Sequence, residues 1–146
     1  MLDDTDLMFV DNNIFIYAYD VSSAEKHQFA RKLIAELWDT GRGCLSIQVL
    51  QEFYVNLTLK VPHPLTPLET TQIMEDLGQW RLHKPGLKNV IEAIHIQQRN
   101  KISFWDAMII CSAKELGCIT IWTEDLNPNQ FYEGIKAVNP FGLELG

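Results

Sequence analysis

Four acidic residues are placed where carboxylates could meet in one site: Asp11, Glu52, Asp106 and Asp125. Crowded carboxylates repel one another, and at least one of them binds a proton unless a cation is present. Magnesium removes that conflict because it prefers oxygen ligands, keeps several waters and needs only one or two carboxylates. A bound divalent ion also generates hydroxide from water and neutralises charge on a phosphate. The four acids are therefore suited to metal-dependent hydrolysis by direct attack of water.

Each acid also has a purely structural interpretation. Asp11 ends an apolar run and could cap the following helix, and the side-chain amide of Asn13 is expected to hold its carboxylate. Glu52 flanks the apolar stripe of an amphipathic helix, a place where glutamate is usually exposed. Asp106 completes a capping box with Ser103. Asp125 follows another acid in a polar loop, so the assignment between the two neighbours stays open.

The elements that position these acids alternate between buried strands and helices. Predicted strands cover residues 7–10, 44–45, 81–83, 118–123 and 135–138. Predicted helices cover residues 14–19, 22–40, 46–57, 66–77, 87–98 and 103–116. This order is typical of an α/β fold with a parallel sheet and helices on both faces. Ligands bind at the carboxyl ends of such strands, where Asp11 and Asp125 are expected.

Helix starts and breaks are signalled by capping residues. Ser22 and Glu25 have the spacing of a capping box, and Thr66 and Glu69 repeat it with a proline at the first helical position. Ser46 is expected to cap its own helix. Asn12 and its neighbour are expected to turn the chain before the first helix begins.

Length and composition indicate one globular domain over residues 1–146. Hydrophobic residues make up 47% of the chain and charged residues 21%, which excludes a disordered protein. The longest apolar stretches fall far short of the ~20 residues that a membrane span needs, so no membrane association is expected. The segment Met1–Asp6 has no basic residue, unlike a signal peptide, and this favours a cytoplasmic location.

Charge and cysteine content narrow the function classes further. The net charge of −7 counts against a simple cationic nucleic-acid binder, although bound metal would cancel part of it. The three cysteines lack C-x-x-C spacing and lie in apolar runs, so reduced buried thiols are expected. Trp105, beside Asp106, is interpreted as a packing residue rather than a platform for base stacking.

Several segments, in chain order, resemble the motifs of PIN-domain proteins. Asp11 ends the first strand, Glu52 lies in the second motif, Asp106 in the third and Asp125 in the fourth. The segments that carry the resemblance are Phe9–Asp20, Ser46–Tyr54, Ser103–Ile110, Trp122–Leu126 and Val138–Phe141. They cover almost the whole chain, and the VapC-like toxins are the branch that they resemble most.

The resemblance implies a three-layer α/β/α sandwich with a central parallel sheet. It implies a ribonuclease that depends on Mg²⁺ or Mn²⁺, the toxin of a type II toxin–antitoxin pair. It also implies a homodimer and a cognate antitoxin whose tail blocks the site. The four acids become the catalytic metal ligands, with Asn13, Ser46 and Thr123 as substrate-positioning residues. Asn12 departs from the family, which often has threonine there, so one hydroxyl near the metal site is missing.

Two other function classes compete with a nuclease. One is a non-catalytic PIN-like module for binding or assembly, which has no need of four acids. The other is a phosphotransferase that uses Asp11 as a nucleophile, but Asn13 replaces the second aspartate that haloacid-dehalogenase phosphatases carry. Neither a Walker loop nor a G-x-G-x-x-G fingerprint is present.

Overall fold

Six helices and six strands form residues 5–141, the part of the chain that the computed structural model describes. The strands are β1 (Met8–Val10), β2 (Gly43–Ser46), β3 (Arg81–His83), β4 (Thr120–Trp122), β5 (Phe131–Tyr132) and β6 (Ile135–Val138). The helices are α1 (Asn12–Tyr19), α2 (Glu25–Thr40), α3 (Ile47–Leu59), α4 (Pro67–Leu77), α5 (Leu87–Asn100) and α6 (Phe104–Glu115). A short 3₁₀ helix, Val21–Ser23, joins α1 to α2.

The strands form one sheet in the order β3-β2-β1-β4-β6-β5. Strand β1 lies at its centre, with Phe9 opposite Cys44 on one side and Ile121 on the other. All pairings are parallel except β5 with β6, so the predicted parallel sheet is confirmed for five strands. The two-residue strand β5 was not predicted, because a run that short carries no period.

Helices cover the sheet as the α/β/α prediction requires. Helix α1 packs against α2 and α3, and α3 packs against α4, while α5 and α6 form a second group. Helix α6 also contacts β2, β4 and β6. The buried core joins strand residues such as Phe9 and Ile121 to helix residues such as Phe15, Phe53 and Ile110. The strands can be fully apolar because both faces of the sheet are covered.

Three of the predicted helix starts are confirmed and two are wrong. Ser46 and Ser103 cap α3 and α6, and Thr66 forms a complete capping box with the third residue of α4. The capping box at Ser22 does not form, because Asp20 caps the 3₁₀ helix instead and α2 starts at Glu25. The predicted turn at Asn12 is already the first residue of α1.

Other predictions fall partly outside residues 5–141. The three cysteines are buried and free, as predicted. The acidic start Met1–Asp6 lies mostly outside the described residues, and the assignment of residues 1–146 to one domain stays a prediction. Within the described part of the chain, no helix is long and apolar enough to cross a membrane.

Candidate active site

Asp11 is the buried centre of the site, at the carboxyl end of β1. Its amide donates to the carbonyl of Trp122 at 3.0 Å, which extends the pairing of β1 with β4 by one residue. Oδ1 accepts the amide of Asn12 at 2.7 Å, and Oδ2 accepts the hydroxyl of Thr123 at 2.7 Å. Burial raises the pKa of this carboxyl to about 7, against the two hydrogen bonds, and the charges of Asp125 and Glu52 raise it further.

Thr123 joins two of the predicted acids. It is 1% exposed, and its own amide donates to the carbonyl of Val138 at 3.0 Å, so the sheet fixes its backbone. Its hydroxyl donates to Asp11 and accepts the amide of Asp125 at 3.0 Å. Asp11 therefore receives a hydroxyl from the far side of the site, although Asn12 replaces the threonine expected beside it.

Asp125 lies on the exposed side of the site, in the loop after β4. Partial burial raises the pKa of its carboxyl, the charges of Asp106 and Glu124 raise it further, and a hydrogen bond from Asn13 lowers it. The amide of Asn13 thus contacts Asp125 and not Asp11, the acid that the sequence had suggested for it. The Oδ1 atom of Asn13 is buried and has no hydrogen-bond partner among the described residues.

Glu124, the competing acid, is engaged elsewhere. Its carboxylate accepts the hydroxyl of Tyr17 at 2.8 Å and forms an ion pair with Lys26 at 2.9 Å. The ammonium of Lys26 also lies over the rings of Tyr17 and Phe141, at 4.9 and 5.2 Å from their centroids. Of the two neighbouring acids, Asp125 is the one whose charge interacts with Asp106.

Glu52 is half-buried on α3 and is held by a residue that the sequence analysis missed. Gln48 donates its Nε2 to Glu52 Oε1 at 3.0 Å and to the carbonyl of Trp105 at 3.2 Å. One amide group therefore connects the second acid to the start of α6. A glutamine four residues before a glutamate is a recognised helical pair, and this spacing could have identified Gln48.

Asp106 is the third residue of α6, where Ser103 caps the helix but the predicted capping box is not complete. Its amide donates to the Ser103 hydroxyl at 3.0 Å. Partial burial raises the pKa of its carboxyl, and a hydrogen bond from Ser103 lowers it. The N-terminus of the helix stabilises negative charge at this position.

Ser46 has a structural contact only. It is fully buried, and its hydroxyl accepts the Val49 amide at 3.4 Å as the cap of α3. Its substrate-positioning role stays a prediction. Trp105, by contrast, is 62% exposed, so it is not a core residue, although its ring packs against that of Phe104.

The acids interact in a chain of neighbours and do not form a closed cage. The charge of Asp11 interacts with those of Glu52 and Asp125, and that of Asp125 with that of Asp106. Within residues 5–141, no three acidic, histidine or cysteine side chains converge closely enough to hold one ion. Magnesium needs only one or two carboxylates besides its waters. The buried, uncompensated Asp11 and the unpartnered Asn13 oxygen fit such a cation.

Three solved structures of similar fold are bacterial proteins, each 18% identical to this chain. The VapC20 toxin of Mycobacterium tuberculosis, described as cleaving the Sarcin–Ricin loop, matches with a TM-score of 0.62 over 81% of this chain and 89% of its own. A toxin–antitoxin complex from Klebsiella pneumoniae and DNA-bound VapBC from Salmonella typhimurium match with TM-scores of 0.66 and 0.63. Each of these two covers 92% of this chain and 98% of its own.

The sequence itself matches a family model as well. No curated protein matches it significantly. The model of the PIN domain matches residues 8–133, a range that begins in β1 and extends past the four acids. Because this family model matches most of the chain, and the sheet order and the fold of the VapC structures agree with the match, the chain belongs to the PIN-domain family.

Proposed function

We propose that this PIN-domain protein is an endoribonuclease that depends on Mg²⁺ or Mn²⁺, and that it is the toxin of a type II toxin–antitoxin pair. The observation that carries the proposal is Asp11, a carboxylate buried at a strand end without a compensating charge. A buried charge must be paired or bound to metal. The Sarcin–Ricin-loop cleavage ascribed to VapC20, which has the same fold, supports RNA as the substrate.

The residues of the chain have separate roles in this proposal. Asp11 is the principal ligand, and Asp106, Glu52 and Asp125 are the further ligands around it. Bound there, a divalent ion supplies an activated water and neutralises charge on the phosphate. Thr123 keeps Asp11 in one orientation through its hydroxyl. Asn13 holds Asp125, and Gln48 holds Glu52, so two of the three further acids have a positioning partner.

The test is cleavage of RNA by purified protein. Wild type is incubated with total RNA in Mg²⁺, in Mn²⁺ and in excess chelator, and the products are separated on denaturing gels. Cleavage with either metal, its loss in chelator and its loss in Asp11→Asn and Asp106→Asn are expected. Asp39→Asn is the matched control, because Asp39 is an exposed acid at the far end of α2.

Two results would overturn the nuclease proposal. One is wild-type protein that cuts no RNA in either metal, as expected for a non-catalytic module. The other is cleavage that persists unchanged in Asp11→Asn, which would point to a contaminating nuclease. Mapping the 5′ and 3′ ends of the products shows whether the cut is internal and whether water is the nucleophile.

The partners in this proposal are RNA, a cognate antitoxin and a second copy of the chain. The Klebsiella complex and the Salmonella VapBC structure support an antitoxin, because both have the same fold as this chain. We place the protein in the cytoplasm, where its RNA substrate is. Growth arrest on expression, relieved by the co-expressed upstream or downstream gene, tests the toxin role, and sedimentation of the purified protein tests the dimer.

A further inference from the structure

We propose that Trp105 is a stacking platform for an unpaired nucleobase next to the scissile phosphate. The inference rests on the proposed nuclease function and adds a binding subsite to it. Trp105 is the residue before Asp106, and its side chain is 62% exposed. The exposed indole ring next to the acids of the site offers a large apolar surface on which a ligand can pack.

One contact holds the ring of Trp105, and another holds its backbone. Phe104 packs against it edge to face, with ring centroids 5.1 Å apart and an interplanar angle of 76°. The carbonyl of Trp105 accepts Nε2 of Gln48, the same group that binds Glu52. The platform and one acid are thus joined through a single side chain. A ring held in this way loses little conformational freedom when a base stacks on it.

Base stacking also explains how a protein with a negative net charge would bind RNA. The chain has a net charge of −7, and the site itself is acidic, so phosphate attraction contributes little to RNA affinity. Base stacking is uncharged and works with any base, because every base has a π-face. It requires bases that are free of a duplex, so the RNA favoured by Trp105 is single-stranded or looped.

The experiment measures RNA binding separately from cleavage. Fluorescence anisotropy of a labelled, unstructured RNA oligonucleotide is recorded with Asp11→Asn protein, which leaves the probe intact. Trp105→Ala and Trp105→Phe are then added to that background. Trp38→Ala is the matched control, because Trp38 is also exposed but lies near the end of α2, against Trp80, the residue before β3. Melting curves verify that each variant is folded.

We expect Trp105→Ala to weaken binding roughly 5- to 150-fold, the loss typical of one stacked base. Trp105→Phe restores much of it, and Trp38→Ala changes nothing. The slope of log Kd against log salt stays the same, because no phosphate contact is removed. A duplex of the same sequence binds more weakly than the single strand and does not respond to Trp105→Ala.

Three results would overturn the stacking inference. These are unchanged binding in Trp105→Ala, a changed salt slope, or a changed sedimentation coefficient, which would make the ring an assembly contact. Failure of the nuclease proposal is separate. If wild-type protein binds RNA through Trp105 but does not cut it, the stacking inference stands and the nuclease proposal fails. If Trp105→Ala neither weakens binding nor slows cleavage, the nuclease proposal stands and the stacking inference fails.

Discussion

Thr123→Val is the most direct test of how the site is held. The change keeps the shape of the side chain and removes a hydroxyl that makes two hydrogen bonds, to Asp11 Oδ2 at 2.7 Å and from the Asp125 amide at 3.0 Å. A hydrogen bond to a charged group contributes about 1.5–3 kcal/mol. The Asp125 amide lies in an exposed loop and can turn to water, so its loss adds less. We expect unfolding to become easier by about 2–4 kcal/mol in total.

The assay is urea unfolding in chelator at pH 8, above the pKa of about 7 of Asp11, so that its carboxylate is ionised. Thr123→Ser is the control, because it keeps the hydroxyl and loses one methyl group, at a cost of about 1 kcal/mol. With metal and RNA, Thr123→Val is expected to cut roughly 10- to 100-fold more slowly, as positioning residues of metal ligands do. Equal stability of the valine and serine variants would refute the reasoning.

Three further predictions concern metal, pH and packing. Saturating Mg²⁺ raises the melting temperature of wild type by mass action and leaves that of Asp11→Asn unchanged, which scanning calorimetry checks; equal shifts would contradict the site. Burial lowers the pKa of His83, which contacts Ser112 at 2.7 Å, so the unfolded chain takes up a proton first as pH falls. We therefore expect wild type to lose stability below about pH 6.5 and His83→Gln to lose less, as measured by urea titrations at pH 7.5 and 5.5. Equal losses in the two proteins would contradict this prediction. A Cβ on Gly43 would overlap the ring of Trp80, so Gly43→Ala is expected to destabilise by about 1–3 kcal/mol, and an unchanged melting temperature would show that the ring moves freely.

The sequence predicted the sheet and the strand-end acids because these depend on local patterns. A short apolar run that ends in a carboxylate defines both β1 and Asp11, and parallel strands bring their carboxyl ends to one edge. Helix caps were equally local where one polar side chain had no rival, as at Thr66.

The errors arose where two groups compete for one partner. At the start of α2, the carboxylate of Asp20 accepts both the amide and the hydroxyl of Ser22, so the hydroxyl cannot cap the helix. The helix then begins after Ala24, whose φ of 54° a sequence pattern does not reveal.

Within the site, the contacts that were missed join residues far apart in the chain. Asn13 was assigned to Asp11, two residues away, but its amide contacts Asp125. The exposure of Trp105 had no local signal either, because residues 107–113 of α6 are buried all round and exposure is confined to the two ends of the helix. Local sequence patterns identify the residues of a site, whereas the fold determines which of these residues contact one another.

The two halves of the site exchange their amide hydrogens at different rates, because the sheet holds the backbone of Asp11 and Thr123 but not that of Asp125. The amides of Asp11 and Thr123 bond to Trp122 and Val138 as continuations of the sheet, so their hydrogens exchange with solvent only when the central strands separate. The amide of Asp125 bonds to a side chain in a loop and exchanges through small local openings. In hydrogen–deuterium exchange, one half of the site behaves as part of the most protected cooperative unit and the other half as its least protected rim. The buried carboxylate of Asp11 therefore keeps its place while the backbone at Asp125 opens locally.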